Sequence, residues 1–111
     1  MRKLKSIYVT SFSDQVTNTR SRLFSVIFST FKQQTDIDAP NLLNLYDGTS
    51  NTDPKILTVN LCPNSTDQYR IQGPTALNVP PGGILFSSGI YAEVTCDPAD
   101  VLGVCFFLEG N

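Results

Sequence analysis

The sequence predicts an all-β chain: a single antiparallel β-sandwich or jelly-roll-like domain of about eight short strands. Three observations carry that expectation. Apolar residues recur at every second position in short runs rich in β-branched and aromatic side chains. Clusters of Gly, Pro, Asn, Asp and Ser separate those runs. No stretch holds a 3.6-residue apolar period firmly enough to argue for a helix.

In chain order, residues 1–5 read as a short basic arm and residues 6–111 as the sandwich domain. Lys5–Thr10 (KSIYVT) is the first expected strand, with Ile7 and Val9 on one face. Ser11–Thr19 is polar and reads as a turn region. Arg20–Phe31 is expected as a long strand with Phe24, Val26 and Phe28 on one face and Leu23, Ser25, Ile27 and Ser29 on the other. A helix is the competing reading there, weakened by the β-branched and serine-rich content. Lys32–Asn41 reads as a polar linker ended by Pro40.

Leu42–Tyr46 and Lys55–Cys62 alternate cleanly and flank DGTSNTDP, almost wholly turn formers, so the pair is expected as a hairpin with Asp47 and Gly48 opening its turn. A short strand Gln68–Gln72, broken by Gly73-Pro74, precedes another at Thr75–Val79. Pro80-Pro81 cannot donate ladder hydrogen bonds and Gly82-Gly83 accept positive φ, which makes a stiff approach and a sharp turn. Ile84–Phe86 follows, then a turn at Ser87-Ser88-Gly89, then a strand with Ile90, Ala92 and Val94 on one face. After a Cys96–Leu102 loop, Gly103–Glu109 closes the chain, with Val104, Phe106 and Leu108 opposed to Cys105, Phe107 and Glu109.

At 111 residues the chain fits one domain, and a chain of this size buries roughly 65% of the surface its unfolded form exposes. A formal net charge of −2 argues against a general nucleic-acid binder. The charge is uneven: residues 1–34 carry six bases against Asp14 alone, and residues 35–111 carry two bases against nine acids. That bias makes either two charged poles that favour contacts between subunits, or an average that folding interleaves. No apolar run approaches the ~18 residues of a membrane span. The three cysteines fit reduced core thiols, with Cys96 and Cys105 able to bridge two neighbouring strands.

The chain has no histidine, which removes Ser-His-Asp, Cys-His and histidine–metal chemistry. Asp47, Asn51 and Asp53 loosely suggest a calcium loop, but the late acidic ligand is missing and an ordinary hairpin turn is the better reading. Asn64-Ser65-Thr66 fits a glycosylation sequon and equally a turn. The basic set Arg2, Lys3, Lys5, Arg20 and Arg22 suits an acidic protein surface better than nucleic acid, and a solvated face better still. A small hydrolase would need a carboxylate pair such as Asp97 with Asp100. No catalytic residue, metal site or cofactor is expected. Outward apolar residues say more: with Val104, Phe106 and Leu108 inside, Phe107 faces out, and with Phe24, Val26 and Phe28 inside, so do Leu23 and Ile27. Such side chains are expected to meet a second layer or another chain.

LLNLYDGTSNTDPKILTVNLC over residues 42–62, the proline-glycine approach, GGILFSSGIYAEVT over residues 82–95 and the closing FFLEG resemble a group of small bacteriophage virion β-sandwich proteins, in which a LYDGTS hairpin precedes a GIY hairpin. The resemblance covers most of residues 4–109 and rests on turn and strand punctuation. The polar Lys32–Asn41 linker and the Gln68–Gln72 segment depart from it. It implies a non-enzymatic capsid decoration, or cement, protein. Such a protein is made in the host bacterial cytoplasm, binds the major capsid protein on the capsid surface and forms a homo-oligomer, with a trimer favoured. The expected interface is Arg2, Lys3, Lys5, Leu23, Ile27, Tyr91 and Phe107, held by turns at Asp47, Gly48, Gly82, Gly83 and Gly89. A tail or fibre attachment module of the virion is the alternative.

Overall fold

The described residues of the computed structural model are 2–9, 12–33, 41–62, 69–77, 79–95 and 101–110. They form nine strands: β1 (Arg2–Val9), β2 (Phe12–Thr17), β3 (Ser21–Gln33), β4 (Asn41–Asp47), β5 (Lys55–Cys62), β6 (Tyr69–Ala76), β7 (Ile84–Phe86), β8 (Ile90–Thr95) and β9 (Val101–Gly110). Two antiparallel sheets result. The first has the order β1-β9-β3-β6, with β7 also on β3, and the second β2-β8-β4-β5.

The connectivity is a nested hairpin. β4 pairs with β5, β3 with β6 and β7, β2 with β8, and β1 with β9. The nest is rolled so that β9 also lies on β3 and β8 on β4. β6 and β7 share one edge of β3, against residues 27–33 and 21–23 respectively. Counted as one strand position, they complete the eight-position jelly roll.

Alternation explains the core. Inward positions of both sheets, among them Val26, Phe28, Leu43, Leu45, Phe86, Ile90, Ala92, Val94, Val104, Phe106 and Leu108, are buried in one cluster. Between them lie the solvent-side residues, as the period of two requires.

The long third strand corrects one expectation. Leu23 was expected outside and Phe24 inside, but Leu23 is 0% exposed and Phe24 is half-buried outside the core cluster. The cause is a bulge: Leu23 pairs with Leu108 and Ser25 with Phe107, so Phe24 is an extra residue against β9. One extra residue inverts the face of everything before it. Leu23 is therefore a core residue and not part of an outer surface, while Ile27 stays on the outer side.

Other differences have equally local causes. β1 begins at Arg2, so Arg2, Lys3 and Lys5 are not a separate arm; they pair with Glu109, Leu108 and Phe106 along a sheet edge. Ser11–Thr19 contains a strand, β2, as well as a turn. Gly73-Pro74 does not end β6: Phe28 pairs with Thr75 and Thr30 with Gln72, so the two residues bulge against Ser29 alone. A proline is tolerated there because β6 is an edge strand and the bulge needs no donor. The linker residues 34–40 and the turns at 63–68 and 96–100 lie outside the described residues. The basic and acidic halves are interleaved, since β9 lies between β1 and β3.

Candidate interaction surfaces

Two sheet faces and one corner carry the residues singled out above. The corner joins the two turns that the sequence marks most strongly. The Gly48 N–H donates to Gly89 O at 3.1 Å, and the Ser88 N–H donates to Asp47 Oδ1 at 2.8 Å. Gln15, on β2, donates its side-chain amide to Gly48 O at 3.0 Å and to Ile90 O at 2.9 Å. Asp47 therefore receives a distant backbone donor. The role of gathering its own turn falls to Asp53, whose Oδ2 accepts from the N–H groups of Thr49 at 2.8 Å and Ser50 at 3.1 Å.

These bonds define the loop chemistry. Asp47 and Asp53 are both engaged as hydrogen-bond acceptors, and among the described residues no group of three or more His, Cys, Asp or Glu is placed to hold a metal ion. Asp97, Asp100 and the Asn64-Ser65-Thr66 sequon lie outside the described residues.

Over β4 and β8 the outer face of the second sheet is polar. Asn44 and Tyr46 on β4 and Tyr91 and Glu93 on β8 alternate with the buried Leu43, Leu45, Ala92 and Val94. Register sets Asn44 beside Glu93 and Tyr46 beside Tyr91, whose rings lie 6.3 Å apart and tilted by 55°. Glu93 is the hub. Its Oε1 accepts from Tyr46 Oη at 3.1 Å and Asn44 Nδ2 at 3.4 Å, and its Oε2 accepts from Asn51 Nδ2 at 3.1 Å. Thr58 on β5 donates to Asn44 Oδ1 at 2.8 Å. This network explains why Asn44 and Tyr46, on an outward face, are only 8% and 7% exposed.

The donor from Asn51 is the main cause that holds the Glu93 carboxyl below the ordinary glutamate range. Burial opposes it, and the Tyr46 and Asn44 donors and the Lys55 charge reinforce it. Tyr46 moves the other way: burial raises its phenol, and its bond to the Glu93 carboxylate adds to that, because the proton is shared with an anion. The network ties the Asp47–Pro54 turn to β8. Sequence reasoning missed these residues. Alternation marks Asn44, Tyr46 and Glu93 as outward, but only register shows that they meet.

No family model, no curated protein and no solved structure matches the chain.

The outer face of the first sheet is different in kind. Ser25, Ile27 and Ser29 of β3 lie beside Phe107, Cys105 and Gly103 of β9, all half-buried and all uncharged. Arg22 and Glu109 bound this strip at one end, and Leu85 of β7, 36% exposed, pairs with Arg22. Of the expected interface residues, Ile27 and Phe107 share this face. Tyr91 lies on the outer side of the opposite sheet, half-buried, and Leu23 is in the core. Arg2, Lys3 and Lys5 lie in β1, the edge strand beside β9.

The Pro80–Gly83 turn packs against residues 22–24 of β3. The Gly83 N–H donates to Pro80 O at 2.9 Å, and Arg22 Nη1 donates to Gly82 O at 3.1 Å. A Cβ on Gly83 would stand 2.7 Å from Leu23 O and 3.2 Å from Phe24 Cδ1, so the turn and the bulge of β3 fit only with glycine there. The bridge considered between Cys96 and Cys105 involves Cys96, which lies outside the described residues.

Proposed function

We propose that this chain is a bacteriophage virion structural protein that decorates the capsid: a non-enzymatic jelly roll that binds the major capsid shell from outside and stabilises the head. The observation that carries the reading is the contrast between its two faces. The second sheet turns outward a hydrogen-bonded polar network around Glu93, with Ile56 of β5 also exposed. The first turns out an uncharged strip, Ser25, Ile27, Cys105 and Phe107, at one end of which Arg22 and Arg2 both pair with Glu109. An uncharged strip of this kind suits a protein surface.

The resemblance in turn punctuation supports the same reading, because the LYDGTS and GIY turns that carry it are the pair joined through Gly48 and Gly89. The mechanism is linkage. A protein that binds the assembled shell and not its separated subunits lowers the free energy of assembly by RT ln(1 + [L]/Kd), about 2.7 kcal/mol per site at a hundredfold excess over Kd.

The test uses heads assembled without this protein. Purified chain is added, occupancy is measured by sedimentation and electron microscopy, and head survival is followed on heating. Saturable binding over the head surface with a raised disruption temperature is expected. Density confined to the tail or fibres would replace this reading with the attachment-module alternative, and no association with virions would end both.

A further inference from the structure

The edge of a sheet presents main-chain N–H and C=O groups that fit another extended strand, and natural sheets blunt such edges with charge, proline or short length. Three of the four edges of this sandwich carry such devices. β1 contains Arg2, Lys3 and Lys5. The opposite edge of that sheet is shared by β6, which contains Pro74, and the three-residue β7. In the second sheet, β2 is six residues long, and its Asp14 pairs with the fully buried Ala92. That register puts a carboxylate on the inward row of an edge strand, where it deters a newcomer.

β5 is the exception. Among the described residues it pairs with β4 alone, and Lys55–Cys62 (KILTVNLC) has no proline or glycine and one charge, at its first residue. Register shifts that leave Ile56 and Leu61 without a partner on β4 bracket a regular run, Leu57–Asn60. The run is incompletely covered. Leu57 and Val59 pack against the core cluster yet are only half-buried, Thr58 is exposed beside Asn44 on the outer side, and Ile56 is 43% exposed.

We infer that β5 pairs antiparallel with β5 of a second copy, about a twofold axis perpendicular to the second sheet, so that the two sheets become one continuous sheet. Directly opposed residues of an antiparallel pair share a face, so the axis passes through a residue and not between two. With the axis at Thr58, in the regular run, Thr58 faces the partner's Thr58 on the outer side. Leu57 then faces the partner's Val59 on the inner side, and Val59 the partner's Leu57. Apolar residues meet apolar ones and threonine meets threonine, each contact off the axis being made twice, as an isologous interface requires.

Charge and pattern together decide the occupant. Residues 56–62 carry no charge that would select a foreign strand, whereas the same strand supplies the matching alternation. The lone cation does not oppose the pairing: the two Lys55 positions are offset by six residues, about 20 Å along the strands. That exceeds the ~8 Å over which exposed charges act at physiological salt. The contact uses none of the strip on the first sheet and goes beyond the shell-binding reading. It gives a pair where the resemblance implies a trimer.

Thr58 lies on the axis and therefore carries the test. Thr58→Lys sets two cations opposite one another and Thr58→Glu two anions. In sedimentation velocity on the isolated chain, wild type is expected to show a monomer–dimer equilibrium, and each variant alone to pair at least ~10-fold more weakly. An equimolar mixture of the two is expected to recover a dimer, with one copy of each by native mass spectrometry. Position is read separately by cross-linking under oxidised glutathione. Thr58→Cys is expected to form a disulfide with its counterpart, because opposed Cα atoms lie about 5 Å apart. Ile56→Cys is not, because its counterpart is displaced by four residues, about 13 Å. Peptide mapping separates these bridges from any made by Cys62 or Cys105. Thr58 also donates to Asn44 Oδ1, so urea midpoints accompany each variant, and the Thr58→Cys bridge keeps the test decisive wherever a charged variant unfolds. A wild type that stays monomeric at millimolar concentration, an oligomer indifferent to both charges, a mixture no better associated than its components, or equal bridging at 56 and 58 would overturn the inference. The measurements contain no capsid, so their failure leaves the shell-binding proposal to its own test.

Discussion

Gly48 and Gly89, forty-one residues apart, are joined by a single 3.1 Å main-chain hydrogen bond that docks the β4–β5 turn onto the start of β8. Gly89 has φ +133°, and a Cβ there would stand 2.6 Å from Thr17 O. Gly89→Val is therefore expected to lower the unfolding free energy by ~1–3 kcal/mol through backbone strain, with the contact adding to it. Urea denaturation reads the loss. Gly83→Val is expected to act likewise, with φ +78° and Leu23 O at 2.7 Å. A wild-type midpoint in either variant would show that the turn relaxes freely.

Phe106 and Phe107 are adjacent, yet one is 0% exposed and the other faces outward, half-buried. Phe106→Ala removes a ring from the centre of the cluster and is expected to cost ~3–5 kcal/mol. Phe107→Asp is expected to leave the monomer folded, by circular dichroism and urea midpoint, while lowering its occupancy on capsid heads in sedimentation. Comparable destabilisation by the two would mean that β9 is wrongly faced.

Glu93 makes stability depend on pH in a defined direction. Its folded-state pKa lies below the unfolded value, chiefly through Asn51, so the network's contribution is present above the ordinary glutamate pKa. It is lost as pH falls through the folded value. Urea midpoints measured from about pH 7 down to about pH 3 should fall more steeply in wild type than in Glu93→Gln. Parallel curves for the two proteins would remove Glu93 as the responsible group.

Much of this architecture is legible in the sequence where alternation is undisturbed. Lys55–Cys62 and Ile84–Phe86 have the expected bounds, and Ile90, Ala92, Val94, Val104, Phe106 and Leu108 point inward as their spacing requires. The misreadings occur where a bulge or a polar edge breaks the signal. Phe24 is as apolar as its neighbours, so nothing in the string marks it as the extra residue; only pairing with β9 does. β2 is hidden because an edge strand needs few inward apolar residues and spends Gln15 on the carbonyls of a distant turn. Glu93 with its donors was unreadable for a related reason: Asn44, Asn51 and Tyr46 come together through register, which a single strand does not encode.

The nesting of the strands also sets a timetable for how the chain acquires its form. The innermost pair, β4 with β5, encloses only the Asp47–Pro54 turn, whereas the outermost, β1 with β9, joins Arg2 to Glu109. Closing a loop of about a hundred residues costs roughly 2 kcal/mol more entropy than closing one of about eight, unless inner pairs have already shortened it. Formation from the centre of the nest outward avoids that cost, and it leaves the β1 edge to arrive last. Pulse-labelled hydrogen exchange during refolding should protect amides of β4 and β5 before those of β1; simultaneous protection would show that the sandwich closes in one step. The strand that completes the basic edge is thus the final one to be laid down, so a chain caught early in its folding has its polar sheet in place before its basic edge is whole.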